Sequence, residues 1–301
     1  MSKYETEIDL SNTNTSHFHM LELVGHNKRV LDVGCASGYL ARILVDRGCT
    51  VSGVEIDAEA AEHARPILDR LVVGDLERID LTQEFEPSSF DVILFGDILE
   101  HLRDPLSPLA QAKKLLAPGG YVVISIPNIG HGAVRLALLE GKWNYGPLGL
   151  LDETHLRFFT RENLNELLYR AGLAAAEIRR TTAGLFETEL GVRPEDYPKE
   201  LIEKIEDDPE ATTYQFVVRA VHDDADRSVA ALAERLQSRE DEVHTLRREL
   251  ERERTERAAD TARLEGRVAA LENELDAVVN STTWRWTRLP RALVTRLRRR
   301  K

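Results

Sequence analysis

Short apolar runs separated by turns and charged segments recur through the first 221 residues. Val30–Val33, Val51–Val54, Val72–Val73, Phe90–Phe95 and Tyr121–Ile126 predict buried strands, and Leu173–Thr182 and Tyr214–Ala220 two more. Helix-compatible stretches lie between them. Ser16–Val24 reads as a helix ahead of the first strand, with Ser16 placed to cap it, and Arg161–Gly172 as an amphipathic helix stopped by glycine. Strands alternating with helices at this spacing imply a parallel sheet covered on both faces, an α/β fold. Thr188–Asp208, acidic and proline-containing, reads as a mobile surface connection with a short helix.

Beyond residue 225 the period changes. From about Asp226 to Asn280 there is no proline, and Leu232, Leu236, Val243, Leu246 and Leu250 fall on alternating three- and four-residue steps, with Arg239 filling one of them. That is a coiled-coil seam. Leu264, Val268, Leu271, Leu275 and Val278 form a second seam, out of phase with the first, and the charged stretch Glu251–Asp260 between them reads as a stutter. The pattern predicts a helix of roughly 80 Å that assembles copies of the chain into a homo-oligomer through 226–280.

Charge divides the chain a third way. The last 21 residues, 281–301, hold eight basic side chains and no acid, so the net −12 of the whole leaves −20 on residues 1–280. Trp284, Trp286, Leu289, Leu293, Val294 and Leu297 lie among those arginines, a composition suited to an anionic membrane surface rather than to nucleic acid. No apolar run approaches the roughly 20 residues needed to span a bilayer. Met1–Leu10 is polar and unlike a signal peptide, and two cysteines, Cys35 and Cys49, are too few for a disulfide framework. The expected location is cytoplasmic, peripheral at the inner face of the plasma membrane.

The candidate chemistry starts where the first strand turns. Val30–Val33 runs into Gly34-Cys35-Ala36-Ser37-Gly38, and the next strand ends in Glu55, an acid placed to accept hydrogen bonds from ribose hydroxyls. A dinucleotide site needs G-x-G-x-x-G, and only Gly34 and Gly38 are present. Asp32, just before the turn, would repel a pyrophosphate and attract a sulfonium or ammonium. Asp57, two residues past Glu55 and ahead of Ala58-Glu59-Ala60, suits a helix cap.

These residues resemble the first motif of the class I S-adenosylmethionine-dependent methyltransferases, a strand followed by D-x-G-x-G-x-G. Ala36 replaces the middle glycine, a change that disfavours a left-handed backbone there. Further matches follow in order at Val72–Leu76, Phe90–Phe95, Gly96–Leu102 and Leu116–Gly120, and Leu151–Thr160 (L-D-E-T-H-L-R-F-F-T) is similar to a bacterial branch that includes ubiquinone-type O-methyltransferases and enzymes of surface-glycan and natural-product pathways. The resemblance covers about 29–221. It implies a seven-stranded doubly wound sheet in the order 3-2-1-4-5-7-6 with the last strand antiparallel, and S-adenosylmethionine as cofactor. It also implies cofactor contacts at Asp32, Gly34, Cys35, Gly38, Glu55, Ile56, Asp75, Leu76 and Asp97, with Asp75 meeting the adenine amine. The Trp-Arg-Trp and Leu-Pro-Arg end resembles coiled-coil regions of surface-polysaccharide enzymes.

Methyl transfer needs alignment and exclusion of water, and no metal is demanded. A hydroxyl acceptor must lose its proton, and His101, His131 and His155 fall near the carboxyl edge of the sheet as candidate bases. His17 and His19 form a lone HxH pair without a second ligand cluster. The expected layout is a cap helix within 1–28, a methyltransferase domain at 29–221 with a lid or acceptor insertion at 128–160, a coiled coil at 222–280 and the basic tail. In the lid, Trp143 and Tyr145 are placed to stack on a sugar or ring. The expected activity is O-methylation of a sugar hydroxyl in a surface glycan or of a lipid-linked or natural-product acceptor. The alternative is a catalytically idle membrane-peripheral scaffold for glycan assembly. A nicotinamide oxidoreductase is disfavoured by the glycine pattern and by Asp32.

Overall fold

The structure, a computed structural model, describes residues 8–223 and 227–280. In chain order the elements are α1 (Ser16–Val24), β1 (Arg29–Val33), α2 (Tyr39–Asp46), β2 (Thr50–Glu55), α3 (Ala58–Ala64), β3 (Arg70–Val73), α4 (Leu81–Glu84) and β4 (Phe90–Gly96). They continue as α5 (Leu106–Leu115), β5 (Leu116–Pro127), α6 (Gly132–Leu139), α7 (Arg161–Arg170), β6 (Leu173–Thr182), α8 (Lys199–Glu206), β7 (Thr213–His222) and α9 (Arg227–Asn280). The chain divides into two compact units, Met1–Asp241 and Glu242–Lys301.

All seven expected strands form one sheet in the order β3-β2-β1-β4-β5-β7-β6. The first five pair parallel, and β7 runs antiparallel to both β5 and β6. Period-two alternation decides which helices each strand residue meets. Leu31, Val33, Ile93, Phe95, Val122 and Ile124 bury against the side of α5 and α7, while Val30, Val92, Leu94 and Val123 bury against α1 and α2. Both faces are therefore apolar, which is why these strands read as continuous hydrophobic runs.

Short polar side chains set the helix starts. The Asp57 carboxylate accepts from the Glu59 and Ala60 N–H groups at 2.8 and 3.3 Å, capping α3 as the sequence predicts. At α1 the cap is Thr15, whose hydroxyl accepts from Phe18 N at 3.2 Å, so the helix starts with Ser16 already inside it. The acidic connection after β6 carries the short helix the sequence predicts, and differs in packing apolar side chains onto the domain. It folds into a 3-10 turn at Pro194–Asp196 and α8, and Val192 and Ile205 join Leu185 in burying the apolar face of α6. That face, Ala133, Leu136 and Ala137, would otherwise be left in water.

The insertion after β5 is tied down at its root. The Asn128 amide donates to the Glu210 and Thr213 carbonyls at 3.2 and 2.8 Å and its oxygen accepts from Gly130 N at 2.9 Å. In the second unit the described part of α9 keeps Val243, Leu246, Leu250, Leu264, Val268, Leu271 and Leu275 each about half exposed. No helix among the described residues is long and apolar enough to cross a membrane. The basic tail 281–301 lies outside the described residues.

Candidate active site

A cavity of about 750 Å³ opens over the carboxyl ends of the parallel strands. Gly34 follows β1, Glu55 closes β2, Gly74 and Asp75 follow β3, Gly96 ends β4 with Asp97 next, and Pro127 ends β5; all line it. This is the edge where open α/β sheets bind ligands, because strand ends and helix starts leave backbone N–H groups and small residues facing one crevice. Glu55, Asp57, Asp75, Glu77, Asp97, Glu100 and Asp152 contribute seven carboxyl groups to the lining, and no lysine or arginine among the described residues reaches it.

The turn after β1 forms the floor. Gly34 has φ +80°, and a side chain there would run into Ile98, so glycine is required twice over. Gly38, at φ +78°, lies against α3, where an added Cβ would stand 3.2 Å from the Ala64 Cα. Gly38 thus closes helix packing and does not line the cavity. Cys35 is 2 % exposed, its sulfur filling the space that Gly53 leaves, and burial pushes its thiol well up.

Ala36 departs from expectation: its φ is +46°, squarely left-handed. Such a backbone costs about 1–2 kcal/mol for an L-residue. The Ala36 N–H donates to Glu55 Oε2 at 2.8 Å, and a hydrogen bond to an ionised group contributes about 1.5–3 kcal/mol. The tertiary bond outweighs the local strain. Glu55 Oε1 accepts in addition from Ile56 N at 2.9 Å and Asp57 N at 2.8 Å, so one carboxylate gathers three backbone donors and joins the two strand ends.

Asp32 lies behind this wall, 2 % exposed, with Oδ2 buried and unpartnered. Burial, and then the Glu55 charge, push its carboxyl up to about 7. Ile56, two-thirds exposed, and Leu76 add apolar surface to the lining, next in sequence to Glu55 and Asp75. Asp97 is held at φ +51° with Oδ1 accepting from Ser125 Oγ at 2.6 Å and Gln215 Nε2 at 3.0 Å. A non-glycine residue in that conformation, fixed by two partners on β5 and β7, is a strained and positioned group.

Glu100, His101 and His155 also line the cavity. Glu100 is 1 % exposed with neither carboxyl oxygen partnered, and burial, then Asp97, hold it well above the usual carboxyl range. The Thr154 hydroxyl donates to Asp152 Oδ1 at 2.6 Å, so at 3.1 Å it accepts from His101 Nδ1. The Thr154 carbonyl lies 3.2 Å from the same nitrogen. A proton is therefore fixed on Nδ1. His155, 4.9 Å from His101 between ring centroids, is lowered below the ordinary imidazole value by burial and then by His101.

His131 occupies a different place. It is fully buried, Nδ1 accepts from Ala133 N at 3.2 Å to cap α6, and Nε2 donates to the Ala183 carbonyl at 3.1 Å. It does not line the cavity. Trp143 packs edge-on against Phe158 at 5.2 Å, and Tyr145 borders a second, smaller cavity of about 260 Å³. From the insertion, Leu148, Gly149, Asp152 and Thr154 reach the main cavity instead.

Four further side chains line the cavity, of which His17 stood out in the sequence only as half of an HxH pair and Tyr39, Gln215 and Glu100 not at all. His17 on α1 and Tyr39 at the start of α2 meet edge-on at 5.5 Å over the cavity. Gln215 lies opposite Asp97 on β7, and Glu100 sits inside the quoted Gly96–Leu102 segment. An acid beside a histidine just past a buried strand was the available signal for Glu100.

Comparison with known proteins agrees with this geometry. A family described as "Methyltransferase domain" matches residues 18–178, more than half of the chain. The ubiquinone biosynthesis O-methyltransferase of Thiobacillus denitrificans is 31 % identical over 158 residues, 52 % of this chain and 68 % of that enzyme. Its counterpart from Ralstonia nicotianae is 32 % identical over 157 residues, 50 % of this chain and 65 % of that enzyme. The chain thus spans about two thirds of the length of these relatives. A SAM-dependent methyltransferase structure from Archaeoglobus fulgidus shares the fold with a TM-score of 0.51 and 18 % identity, over 70 % of this chain and 94 % of that one.

The chain belongs to the methyltransferase-domain family. It is an S-adenosylmethionine-dependent methyltransferase, and the cavity fits that cofactor: its acidic lining and the unpartnered Asp32 oxygen favour a cation and oppose a pyrophosphate.

Two outcomes test the site. Glu55→Ala should weaken binding of S-adenosylhomocysteine by at least about 30-fold, whereas Asp57→Ala should cost about 1 kcal/mol of stability with little loss of binding. Equal calorimetric losses would assign the wrong acid. For Asp32, the folded chain holds a proton near pH 7 that the unfolded chain releases near 3.8, so its contribution to stability is lost as pH rises between those values. Asp32→Asn should accordingly raise the stability of the ligand-free chain at pH 8 by up to about 4 kcal/mol, with the gain fading towards pH 4 in thermal melts.

Proposed function

We propose that this methyltransferase acts on a hydroxyl oxygen brought to the Glu100–His101–His155 end of the cavity. When bound, S-adenosylmethionine supplies a methyl carbon on a positively charged sulfur. Glu55 keeps carboxylate lone pairs for the ribose hydroxyls after its three backbone bonds, Ile56 and Leu76 flank the base, and Asp75 meets the adenine amine. Asp97 orients the amino-acid end or the acceptor from its fixed position between Ser125 and Gln215. Leu148 and Gly149 wall the acceptor side and exclude water.

The observation that carries the oxygen acceptor is the His101 network. An acceptor hydroxyl has a proton to lose as it attacks, and Asp152, through Thr154, fixes the ring of His101 where it lines the cavity. Relatives named as O-methyltransferases support the same reading. His131, with both nitrogens engaged, leaves the set of candidate bases. For the acceptor molecule, the resemblance of the C-terminal segments favours a sugar hydroxyl of a surface glycan or a lipid-linked or natural-product hydroxyl.

The half-exposed leucine and valine stripe of α9 supports assembly into a homo-oligomer through 226–280. The arginine-rich tail 281–301 supports contact with an anionic membrane surface from the cytoplasmic side. A catalytically idle scaffold would not need the intact Asp32, Gly34, Gly38 and Glu55 that the chain retains.

Incubated with methyl-labelled S-adenosylmethionine and envelope extracts, the full chain should transfer label to a product heavier by one methylene. His101→Ala and His155→Ala should each lower the rate by about 100-fold or more while cofactor-product affinity stays within a few-fold. Undiminished transfer in both variants would remove the acceptor-end assignment. By light scattering, truncation after Asp241 should reduce an oligomeric chain to a monomer, and an unchanged oligomeric state would rule out assembly through α9.

A further inference from the structure

We propose that His17 and Tyr39 together form the subsite for the α-carboxylate of S-adenosylmethionine, and that this pair makes the chain select the carboxylated cofactor over its decarboxylated form. The inference deepens the cofactor reading and rests on it.

Charge sets the problem. The amino-acid end of the cofactor carries an ammonium and a carboxylate on one carbon, close to the sulfonium. Seven carboxyl groups line the cavity, and no lysine or arginine among the described residues joins them. That lining attracts the sulfonium and the ammonium and repels the carboxylate. Left unpaired in such a recess, the carboxylate would cost the complex affinity, so hydrogen-bond donors have to meet it.

Most side-chain donors of the lining are committed elsewhere. The Tyr214 hydroxyl donates to Glu189 Oε2 at 2.9 Å, the Thr154 hydroxyl to Asp152 Oδ1 at 2.6 Å and Gln215 Nε2 to Asp97 Oδ1 at 3.0 Å. His101 gives its Nδ1 proton to the Thr154 oxygens. His17 and Tyr39 differ. Both are half-buried and line the cavity, and their rings meet edge-on at 5.5 Å. Neither the imidazole nor the phenol hydroxyl has a hydrogen-bond partner among the described residues. Polar groups so far withdrawn from water are ordinarily paired, and an incoming carboxylate pairs both at once. The helix also separates the two histidines of the HxH motif. Residues two apart lie about 200° around its axis, and His19 does not line the cavity.

The position suits the amino-acid end. Burial lowers the His17 imidazole and the Asp97 charge opposes that lowering, while burial, then Asp32, then Asp97 raise the Tyr39 phenol. Asp97 is thus near enough to act on both rings. Its Oδ1 is taken by Ser125 and Gln215, which leaves Oδ2 for the ammonium. An acid for the ammonium and a histidine–tyrosine pair for the carboxylate stand together, as two groups on one carbon require.

Calorimetric titration of the full chain with S-adenosylmethionine and with decarboxylated S-adenosylmethionine tests the subsite, because the two ligands differ only in the carboxylate. Coulomb attraction to an acid-lined cavity would by itself favour the decarboxylated form, which has the greater positive charge. The unaltered chain should instead bind S-adenosylmethionine at least about ten-fold more tightly. His17→Phe keeps a ring against Tyr39, and Tyr39→Phe removes a single oxygen. Each should weaken S-adenosylmethionine by about ten-fold or more and leave the decarboxylated ligand within about two-fold. Equal or tighter binding of the decarboxylated form by the unaltered chain would overturn the subsite, as would folded variants that lose both ligands alike. If a variant fails to fold, as judged by melting, the other variant and the preference of the unaltered chain decide. An unaltered chain that binds neither ligand would instead overturn the cofactor reading, and the subsite with it.

Discussion

One carboxylate holds the active edge of this protein together. Glu55 sits at the tip of β2 and accepts backbone N–H groups from Ala36, Ile56 and Asp57, so the turn after β1 and the turn after β2 share a single anchor. Without it the left-handed backbone at Ala36 has nothing to offset its strain, and the floor of the cavity has no reason to keep its shape. The anchor is also part of the surface it shapes, since Glu55 faces the cavity with lone pairs to spare. Structural and ligand-binding roles fall on the same side chain, and the acids around it make the edge a place for positive charge.

Much of the fold was legible because the sheet is buried on both faces. Val30–Val33, Phe90–Phe95 and Tyr121–Ile126 have no solvent side, so their apolar runs mark strands directly, and the antiparallel β7 came with the family resemblance. What escaped the sequence was set by distant partners. Ala36 was expected to avoid a positive φ because the local rule considers only its Cβ, whereas a bond from Glu55, nineteen positions away, decides the conformation. The helix α8 pays off only against α6, an encounter that no local pattern in Thr188–Asp208 records.

The candidate site divides the same way. Gly34, Glu55, Ile56, Asp75, Leu76 and Asp97 all line the cavity, because strand ends and the turns after them are encoded locally. Asp32, Cys35 and Gly38 stand behind it: charge, fill and helix packing are their contributions. The three histidines looked equivalent in sequence and differ in structure, since His131 caps a helix with both nitrogens engaged while the His101 and His155 rings meet edge to face in the cavity lining. Their difference arises from where the 128–160 insertion folds back, through the bridge of Asn128 with Phe159 and the Asp152–Thr154 pair. Glu100 became notable only through its burial, with the insertion bonded to its carbonyl through Leu156 N and Arg157 N.

The central claim is that this acid-lined edge recognises a positively charged sulfur nucleoside. Isothermal titration of the purified full chain against S-adenosylmethionine, S-adenosylhomocysteine and NAD measures it most directly. The account predicts saturable binding of both sulfur nucleosides at one site and none of the dinucleotide. Binding of NAD with no affinity for either sulfur nucleoside would contradict it.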